Sequence, residues 1–400
     1  MGIIIRPESL EHTFVPDRLP AREELRYQLL SKIMDFFSKQ SGAGFKGIYI
    51  YGGVGSGKTV LSRRVAMDLK AKFGDALDIC YVNCRFSRRV YRVLAQIASQ
   101  ISPSLPRRGL SKDEFLELIF LATMERTKKL LVILDEIDSL FWGAEGDKAT
   151  DFLYALSRYV ERTPSGDLRV AALSISRSEE VIHKWLDPAT RASFIHEKIF
   201  VKPYNPNELL EILKYRVELA FKPNSISDEN IRYLANFVAN QASGNARIAI
   251  DLLRLSGEIA EQQRASEIKP EHIRVAIEEY ALLPTLDLEK LMGLELHKLL
   301  VLLSAVRALK NSDKAYVTKA IAQQHYREIC AEYNEKPRKS TQIWRYLKEI
   351  HHELSGIVEL EVSGKNQRGR STRILINAPL EVFEKSIMKV LRMKLRQENL

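Results

Sequence analysis

The feature that most constrains the fold is a glycine-rich turn, GGVGSGKT, at residues 52–59. It matches the pattern Gly-x-x-x-x-Gly-Lys-Ser/Thr, with an apolar strand pattern at 46–51 before it and helical periodicity at 59–73 after it. Glycines let backbone N–H groups face phosphate oxygens, and the following helix start adds a partial positive charge. The turn therefore predicts a nucleoside triphosphate site, with Lys58 on the β- and γ-phosphates and Thr59 on Mg²⁺. The expected ATP contacts here are Gly52, Gly53, Val54, Gly55, Ser56, Gly57, Lys58, Thr59 and Val60.

Apolar strand patterns recur after the turn, at 79–82, 130–134 and 170–174, and helical patterns separate them. This alternation predicts a parallel β-sheet with helices on both faces, which is the α/β class. We place this nucleotide-binding domain at residues 1–201.

A proline-marked break, KPYNPN at 202–207, follows the α/β domain. Residues 202–290 show helical patterns throughout and predict an all-helical lid domain. In residues 291–400, three helical patterns precede two strand patterns separated by a basic tip, which is the order of a winged helix.

An apolar strand pattern, LLVILDEID at 130–138, delivers acidic residues at its carboxyl end, where open α/β sheets bind ligands. Asp135 is the expected magnesium ligand, and Glu136 is the expected base that positions or activates water. We interpret Asp138 as structural, with a third metal ligand as the alternative.

In the predicted lid, SGNARIAID at 243–251 opens a helix with Arg247 in its first turn. An arginine is unfavourable near a helix N-terminus, so a bound anion would explain it; a solvated surface arginine is the alternative. Together with the preceding motifs, this lid favours the AAA+ class of nucleoside triphosphate hydrolases.

Basic charge is concentrated in two regions of the chain. The whole sequence has 61 Lys and Arg against 51 Asp and Glu, a net charge of +10. Residues 85–108 hold six arginines and no acid, and residues 295–400 hold 20 basic and 12 acidic residues. Two basic regions on a slightly acidic remainder indicate a polyanionic partner.

Other composition features exclude several classes of protein. No apolar run approaches the roughly 20 residues of a membrane helix, and no signal peptide is visible at the N-terminus. The three cysteines, Cys80, Cys84 and Cys330, fit a reducing compartment, and the apolar alternation around Cys80 and Cys84 predicts that these two are buried. We expect a cytoplasmic, nucleoid-associated protein that has no membrane partner.

Taken together, these segments resemble the archaeal AAA+ replication initiators, which are related to the eukaryotic origin recognition complex and its cell-division-cycle helicase loader. The resemblance covers nearly the whole chain. It rests on FVPDRLPARE at 14–23, YVNCR at 81–85, YRVL at 91–94, LDEID at 134–138 and GNAR at 244–247.

The resemblance implies roles for further residues. An N-terminal segment with Val15, Pro16 and Arg22 would pack against the adenine, and an initiator-specific insertion would lie near 85–108. Arg247 would be the second sensor, which contacts ATP and takes part in catalysis with Lys58 and Glu136.

Two positions depart from the family pattern. The family's first-sensor strand ends Ile-Ser-Asn, whereas this chain has ISR at 175–177, and Arg177 cannot accept a hydrogen bond from water. Slow or altered hydrolysis is therefore expected. The family's Asp-Pro-Arg segment appears as DPATR at 187–191, so Arg191 is the candidate arginine finger, with a surface ion-pair partner as the alternative.

The resemblance and the charge pattern predict contacts with duplex DNA in both basic regions. For the helical positions, ordinary solvated charge is the alternative. The hairpin tip at 363–373 has four cations, two glycines and no acid, which suits a wing along a minor groove. The candidates are Arg85, Arg88, Arg89 and Arg92 in the insertion, Arg338, Lys339, Gln342 and Arg345 at the third helix of the winged helix, and Lys365, Arg368, Arg370 and Arg373 at the tip.

We therefore expect an ATP-dependent initiator that binds origin double-stranded DNA and helps load the replicative minichromosome maintenance helicase. ATP, ADP and Mg²⁺ are the expected cofactors, the nucleotide acting as a conformational switch, and other initiator paralogues are possible partners. Two alternatives remain: a helicase loader with weak DNA contacts of its own, and a DNA-binding regulator with a vestigial ATPase.

Overall fold

A computed structural model describes residues 2–39, 42, 44–105, 109–142, 146–162, 167–280, 288–312, 314–362 and 372–397. The chain forms two compact units. The α/β unit is Thr13–Tyr204, and the C-terminal unit consists of the residues from Asn205 onward together with those up to His12. The sequence-based boundary keeps these early residues in the nucleotide-binding domain, whereas in the structure the Ile5 N–H donates to the Ala220 oxygen at 2.8 Å.

The α/β unit is built on a five-stranded parallel sheet in the order β2-β3-β4-β1-β5. The apolar patterns of the sequence predict the first four strands. They do not indicate the fifth, because only four residues form it and two of them are charged. The strands are β1 (Gly44–Tyr51), β2 (Asp78–Asn83), β3 (Lys129–Asp135), β4 (Arg169–Ser176) and β5 (Glu197–Phe200).

Helices cover both faces of this sheet, as the alternating pattern predicts. They are α1 (Glu23–Ser38), α2 (Lys58–Phe73), α3 (Cys84–Ser87), α4 (Val90–Ile101), α5 (Lys112–Arg126), α6 (Gly146–Arg158), α7 (Glu180–Trp185) and α8 (Pro188–Phe194). Alternate residues of β3 belong to opposite cores: Val132 packs with the side chains of α4 to α6, and Ile133 packs with those of α1 and α2. Burial on both faces explains why β3 is apolar along its length.

The C-terminal unit contains the helical lid and the winged helix, in the predicted order. The lid is α9 (Pro206–Ala220), α10 (Asp228–Gln241), α11 (Ala246–Gln262) and α12 (Pro270–Glu279). The winged helix is α13 (Leu288–Gly293), α14 (Leu296–Lys310), β6 (Tyr316–Thr318), α15 (Lys319–Glu332), α16 (Ser340–Glu353), β7 (Val358–Val362), β8 (Thr372–Ile376) and α17 (Leu380–Gln397). Its sheet is antiparallel in the order β6-β8-β7.

Buried polar contacts join the lid to the winged helix. The Arg274 guanidinium of α12 donates from Nε to the Ile376 oxygen (2.9 Å) and from Nη2 to the Ala315 oxygen (3.2 Å). The Tyr233 hydroxyl of α10 donates to Asn377 Oδ1 (3.1 Å). Because these groups are buried, each needs its partner, and the two domains form one compact body.

The three cysteines are free and buried, as the sequence predicts for Cys80 and Cys84. Burial raises the pKa of the Cys80 thiol to about 12, so it stays protonated at neutral pH. Within the described ranges, no helix combines the length and the apolar character that crossing a membrane requires.

Candidate nucleotide-binding site

The glycine-rich turn joins β1 to α2 at the carboxyl edge of the parallel sheet. Gly52, Gly55 and Gly57 have φ angles of 153°, 74° and 95°, which residues with a Cβ rarely adopt. Gly57 is the N-cap of α2, and Lys58 is its first residue. The turn therefore places the predicted phosphate-binding residues around the start of a helix.

Gly57 and Gly53 provide a matched test of this turn. A Cβ on Gly57 would lie 2.3 Å from the Tyr204 hydroxyl oxygen, whereas one on Gly53 would meet no heavy atom within 4 Å. We expect G57A to lower the free energy of unfolding of the α/β unit by about 2 kcal/mol, because it adds backbone strain to this clash. We expect G53A to change it by less than about 0.5 kcal/mol. Urea unfolding without nucleotide measures both, and equal losses would contradict the expectation.

The Lys58 ammonium group is held inside the turn. Its Nζ donates to the oxygens of Gly52 and Gly53, at 2.8 Å each. Burial lowers the pKa of Lys58, while Asp135 opposes that shift. A half-buried ammonium group that donates only to carbonyl oxygens here would form stronger hydrogen bonds with a charged acceptor such as a phosphate.

Asp135 ends β3 directly opposite the start of α2, and it is almost fully buried. The Thr59 hydroxyl donates to Asp135 Oδ2 at 2.9 Å, so the two predicted metal ligands are in contact. The Tyr81 hydroxyl of β2 donates to the same oxygen at 2.7 Å. Burial, with the Asp135 charge, raises the pKa of Tyr81 to about 12, which keeps this hydroxyl a donor.

Glu136, the predicted base, is held by three side chains. It follows β3 with a left-handed backbone (φ 51°), a strained conformation for a residue with a Cβ. Its Oε1 accepts from Arg177 Nη2 at 3.3 Å and lies 3.7 Å from Arg85 Nη1. Its Oε2 accepts from Asn83 Nδ2 at 3.4 Å. The base is thus restrained by two cations.

Asp138 lies beside the same arginine. Its Oδ2 is 4.0 Å from Arg177 Nε, and its buried Oδ1 has no hydrogen-bond partner among the described residues. Burial raises the pKa of Asp138. Arg177 therefore lies within ion-pair distance of two carboxylates, those of Glu136 and Asp138.

The N-terminal segment predicted to pack on adenine includes Pro16, which is buried, and Val15, which is half-buried. Arg22 is buried at the N-cap of α1. Its Nε donates to the oxygen of Ser56 in the glycine-rich turn, at 3.3 Å. Arg22 therefore contacts the backbone of the predicted phosphate site.

The two predicted catalytic arginines lie in different units. Arg191 belongs to α8, where its Nη1 is 2.9 Å from His183 Nδ1. Arg247 is an exposed residue in the first turn of α11, as the sequence predicts. Asn245 caps this helix, and its Oδ1 accepts from the Arg247 N–H at 3.0 Å.

Four of the six arginines in the predicted insertion lie on the surface around α3 and α4, and Arg107 and Arg108 lie outside the described residues. Arg85, Arg88, Arg89 and Arg92 are all exposed. Arg88 ends α3 in a left-handed conformation (φ 41°), and its Nε donates to the Arg85 oxygen at 3.2 Å. This surface is basic, although Arg85 also reaches Glu136.

In the winged helix, Lys339 is the N-cap of α16, and Arg338, directly before it, is exposed. Arg345 is exposed and its Nε lies 3.5 Å from Glu349 one turn later, while Gln342 is half-buried. Arg373 lies with its Cζ 4.2 Å from the centre of the Tyr316 ring. The other predicted contacts of the tip, Lys365, Arg368 and Arg370, lie outside the described residues.

Sequence reasoning missed Tyr81 and Asn83 as parts of the site. Asn83 pairs with Asp135 in the register of β2 and β3, so it stands beside the acidic strand end. Their positions on the strand next to β3 could have indicated them, but only once the order of the sheet was known.

This strand order, with a glycine-rich turn after β1 and acids after β3, defines a nucleotide-binding unit of the AAA type. An AAA domain model matches residues 42–171. The Cdc6 AAA+ ATPase-type lid domain matches residues 210–278, and the CDC6 C-terminal winged helix domain matches residues 289–386. The chain belongs to the Orc1/Cdc6 family of archaeal replication initiators, the ORC1-type DNA replication proteins.

Full-length relatives share this organisation. ORC1-type DNA replication protein 2 of Saccharolobus solfataricus is 30% identical over 387 residues, covering 95% of this chain and 91% of that protein. The crystal structure of Cdc6p from Pyrobaculum aerophilum is 30% identical with a TM-score of 0.83, covering 98% of this chain and 100% of that one. The Aeropyrum pernix ORC1 protein, solved in complex with DNA, is 25% identical with a TM-score of 0.61, covering 98% and 97%.

Proposed function

We propose that this protein is an ATP-dependent replication initiator. It binds origin double-stranded DNA, helps load the replicative minichromosome maintenance helicase, and uses ATP and ADP as a conformational switch. The observation that carries the proposal is that one chain contains both a glycine-rich turn and the winged helix of an initiator family. Beside the turn, the Thr59 hydroxyl is hydrogen-bonded to Asp135. The DNA complex of the Aeropyrum pernix relative supports the DNA partner.

At the nucleotide site, Thr59 and Asp135 supply the hydroxyl and carboxylate oxygens that Mg²⁺ prefers, and the ion usually completes its shell with water and phosphate oxygens. Such an ion would neutralise phosphate charge when it is bound. Lys58 binds the phosphates, Glu136 orients or deprotonates water, and Arg247 and Arg191 serve as second sensor and arginine finger. Because Arg177 pairs with Glu136, we expect hydrolysis to be slow.

On DNA, two groups of cations act together. Arg85, Arg88, Arg89 and Arg92 approach the duplex from the α/β unit. The winged helix contributes Arg338, Lys339, Gln342, Arg345, Lys365, Arg368, Arg370 and Arg373. A duplex held at both places gives a DNA affinity that depends steeply on salt.

Filter binding to origin and random duplexes tests the DNA-binding part. If about six to ten phosphates are neutralised, affinity should fall about 10³- to 10⁵-fold between 50 and 200 mM salt. The origin duplex should bind more tightly than random duplex at physiological salt, and ATP and ADP should give different affinities. Replacing both Arg338 and Lys339 by alanine should lower the slope of log affinity against log salt concentration by about two, because about two phosphate contacts are lost.

Lys214, a lid lysine paired with Asp228, provides the matched control, and K214A should bind DNA as the wild type does. Equal affinity for origin and random duplexes at physiological salt would overturn the proposed origin recognition. Loss of helicase recruitment in variants that still bind DNA weakly would favour the helicase-loader alternative.

A DNA-binding regulator with a vestigial ATPase is a second candidate, favoured by the pairing of Glu136 with Arg177 and Arg85. Steady-state ATP turnover separates it from the initiator. A near-zero rate that E136Q leaves unchanged would support the regulator.

A further inference from the structure

Arg22 and Tyr204 form a stacked pair against the glycine-rich turn. The Cζ atom of Arg22 lies 3.8 Å from the centre of the Tyr204 ring, and both residues are about 95% buried. The same guanidinium donates to three main-chain oxygens. Nε donates to Ser56 (3.3 Å), Nη1 to Ala21 (2.9 Å) and Nη2 to Lys202. One side chain thus connects the turn to the segment that follows β5.

That segment also touches the turn directly. The Tyr204 hydroxyl occupies the space that a Cβ of Gly57 would need, and the Val201 oxygen lies 2.2 Å from where a Cβ of Gly52 would be. The Val201 N–H donates to the Tyr51 oxygen at 2.8 Å, which fixes the start of the segment to the end of β1. We call residues 201–204 the exit segment.

The contact between Arg22 and Ser56 has a geometric consequence. The Ser56 oxygen and the Gly57 N–H belong to one planar peptide unit, so neither can rotate without the other. In a phosphate-binding turn, the N–H groups face the phosphates. A phosphate that reorients the Gly57 N–H therefore moves the oxygen to which Arg22 donates, and Arg22 carries that movement to Tyr204.

Tyr204 is the last residue of the α/β unit, and Asn205, which follows it, caps α9 of the lid. We infer that the Arg22–Tyr204 stack is a nucleotide-dependent latch, which tightens the exit segment when a phosphate occupies the turn. Arg22 is then a positioning residue rather than only an adenine contact. This inference rests on the proposed nucleotide binding. It names Arg22 and Tyr204 as the residues through which a bound nucleotide acts on the start of the lid.

Hydrogen exchange of the full-length protein, followed by mass spectrometry with and without ADP, tests the latch. A peptide from α2 measures nucleotide occupancy, and a peptide spanning 199–205 measures the exit segment. In the wild type, ADP should slow exchange in both peptides, by about fivefold or more in the exit segment. Y204L loses the ring but leaves Arg22 in place, so it should keep the ADP effect in α2 and lose it in the exit segment. R22K keeps the charge but loses the planar fork, so at ADP concentrations that saturate its α2 peptide it should also lose the effect in the exit segment.

Two further variants serve as controls. Y204F keeps the stacked ring. R26Q removes the ion pair between Asp68 and Arg26, which lies in α1, the helix that Arg22 precedes as its N-cap. Both should behave as the wild type does. Full ADP protection of the exit segment in R22K and Y204L would overturn the latch. If ADP protects neither peptide of the wild type, the proposed nucleotide binding fails, and the latch fails with it.

Thermal unfolding of each variant shows whether its fold is intact. The result that supports the latch is a folded Y204L variant whose α2 peptide responds to ADP while its exit segment does not. If the exit segment of the wild type does not respond although α2 does, the latch is wrong and nucleotide binding stands.

Discussion

Replacing Arg177 with asparagine is expected to raise the rate of ATP hydrolysis by about 10-fold. Arg177 donates to Oε1 of Glu136 at 3.3 Å and so occupies the carboxylate that we propose as the base acting on water. A guanidinium has no acceptor atom, whereas an asparagine side chain both accepts and donates, so it can hold a water molecule. Both groups are partly exposed, so the ion pair itself is worth only about 1 kcal/mol, and most of the gain must come from positioning the water.

Phosphate release at saturating ATP measures this effect. K128N, which removes an exposed lysine paired with Asp167, is the matched control and should hydrolyse at the wild-type rate. Adding E136Q to R177N should bring the rate back to the wild-type value or below, because the gain acts through that carboxylate. An unchanged rate in R177N would show that Arg177 does not restrain hydrolysis.

Replacing Lys58 with alanine is expected to weaken nucleotide binding by about 30- to 100-fold. The ammonium group is held within the glycine-rich turn by two carbonyl oxygens at 2.8 Å, so little side-chain entropy remains to be lost when it binds a phosphate. Hydrogen bonds to charged groups contribute about 1.5–3 kcal/mol, which corresponds to about 10- to 150-fold in affinity, and the expected loss lies within that range.

Calorimetric titration with ADP measures the loss. Lys70, an exposed lysine on the same helix that pairs with Asp75, is the control, and K70A should bind ADP as the wild type does. If K58A binds ADP within threefold of the wild type, the turn is not the phosphate site. DNA binding by K58A should no longer respond to added nucleotide at concentrations that saturate the wild type.

Local signals were enough to predict much of this fold. The glycine-rich turn needs a strand before it and a helix after it, so residues 52–59 alone predict how β1 and α2 are connected. The order of three helices and a hairpin likewise predicts the winged helix, because each element buries a regular apolar face. Thr59 and Asp135 could be paired in advance, since each follows from its own motif.

The contacts around Glu136 and Tyr204 could not be predicted in the same way. Arg85 and Arg177 follow two different strands, β2 and β4, and only the sheet order brings them to one carboxylate. Arg85 lies among other arginines in the sequence, which favours a DNA contact, and nothing in the sequence around it indicates that it also pairs with Glu136. Tyr204 lies in a proline-rich break with no periodic pattern, and its role depends on burial against Gly57.

The hydrogen bonds between Arg274, Tyr233 and the winged helix have a consequence for cooperativity. Melting one domain alone would break the hydrogen bonds that Arg274 and Tyr233 make to the other, and hydrogen bonds to a charged group contribute about 1.5–3 kcal/mol. Neither lid nor winged helix should therefore melt alone. Heating should reveal two calorimetric transitions for three domains, and a winged helix cut away from its lid should be less stable than the same residues in the whole chain.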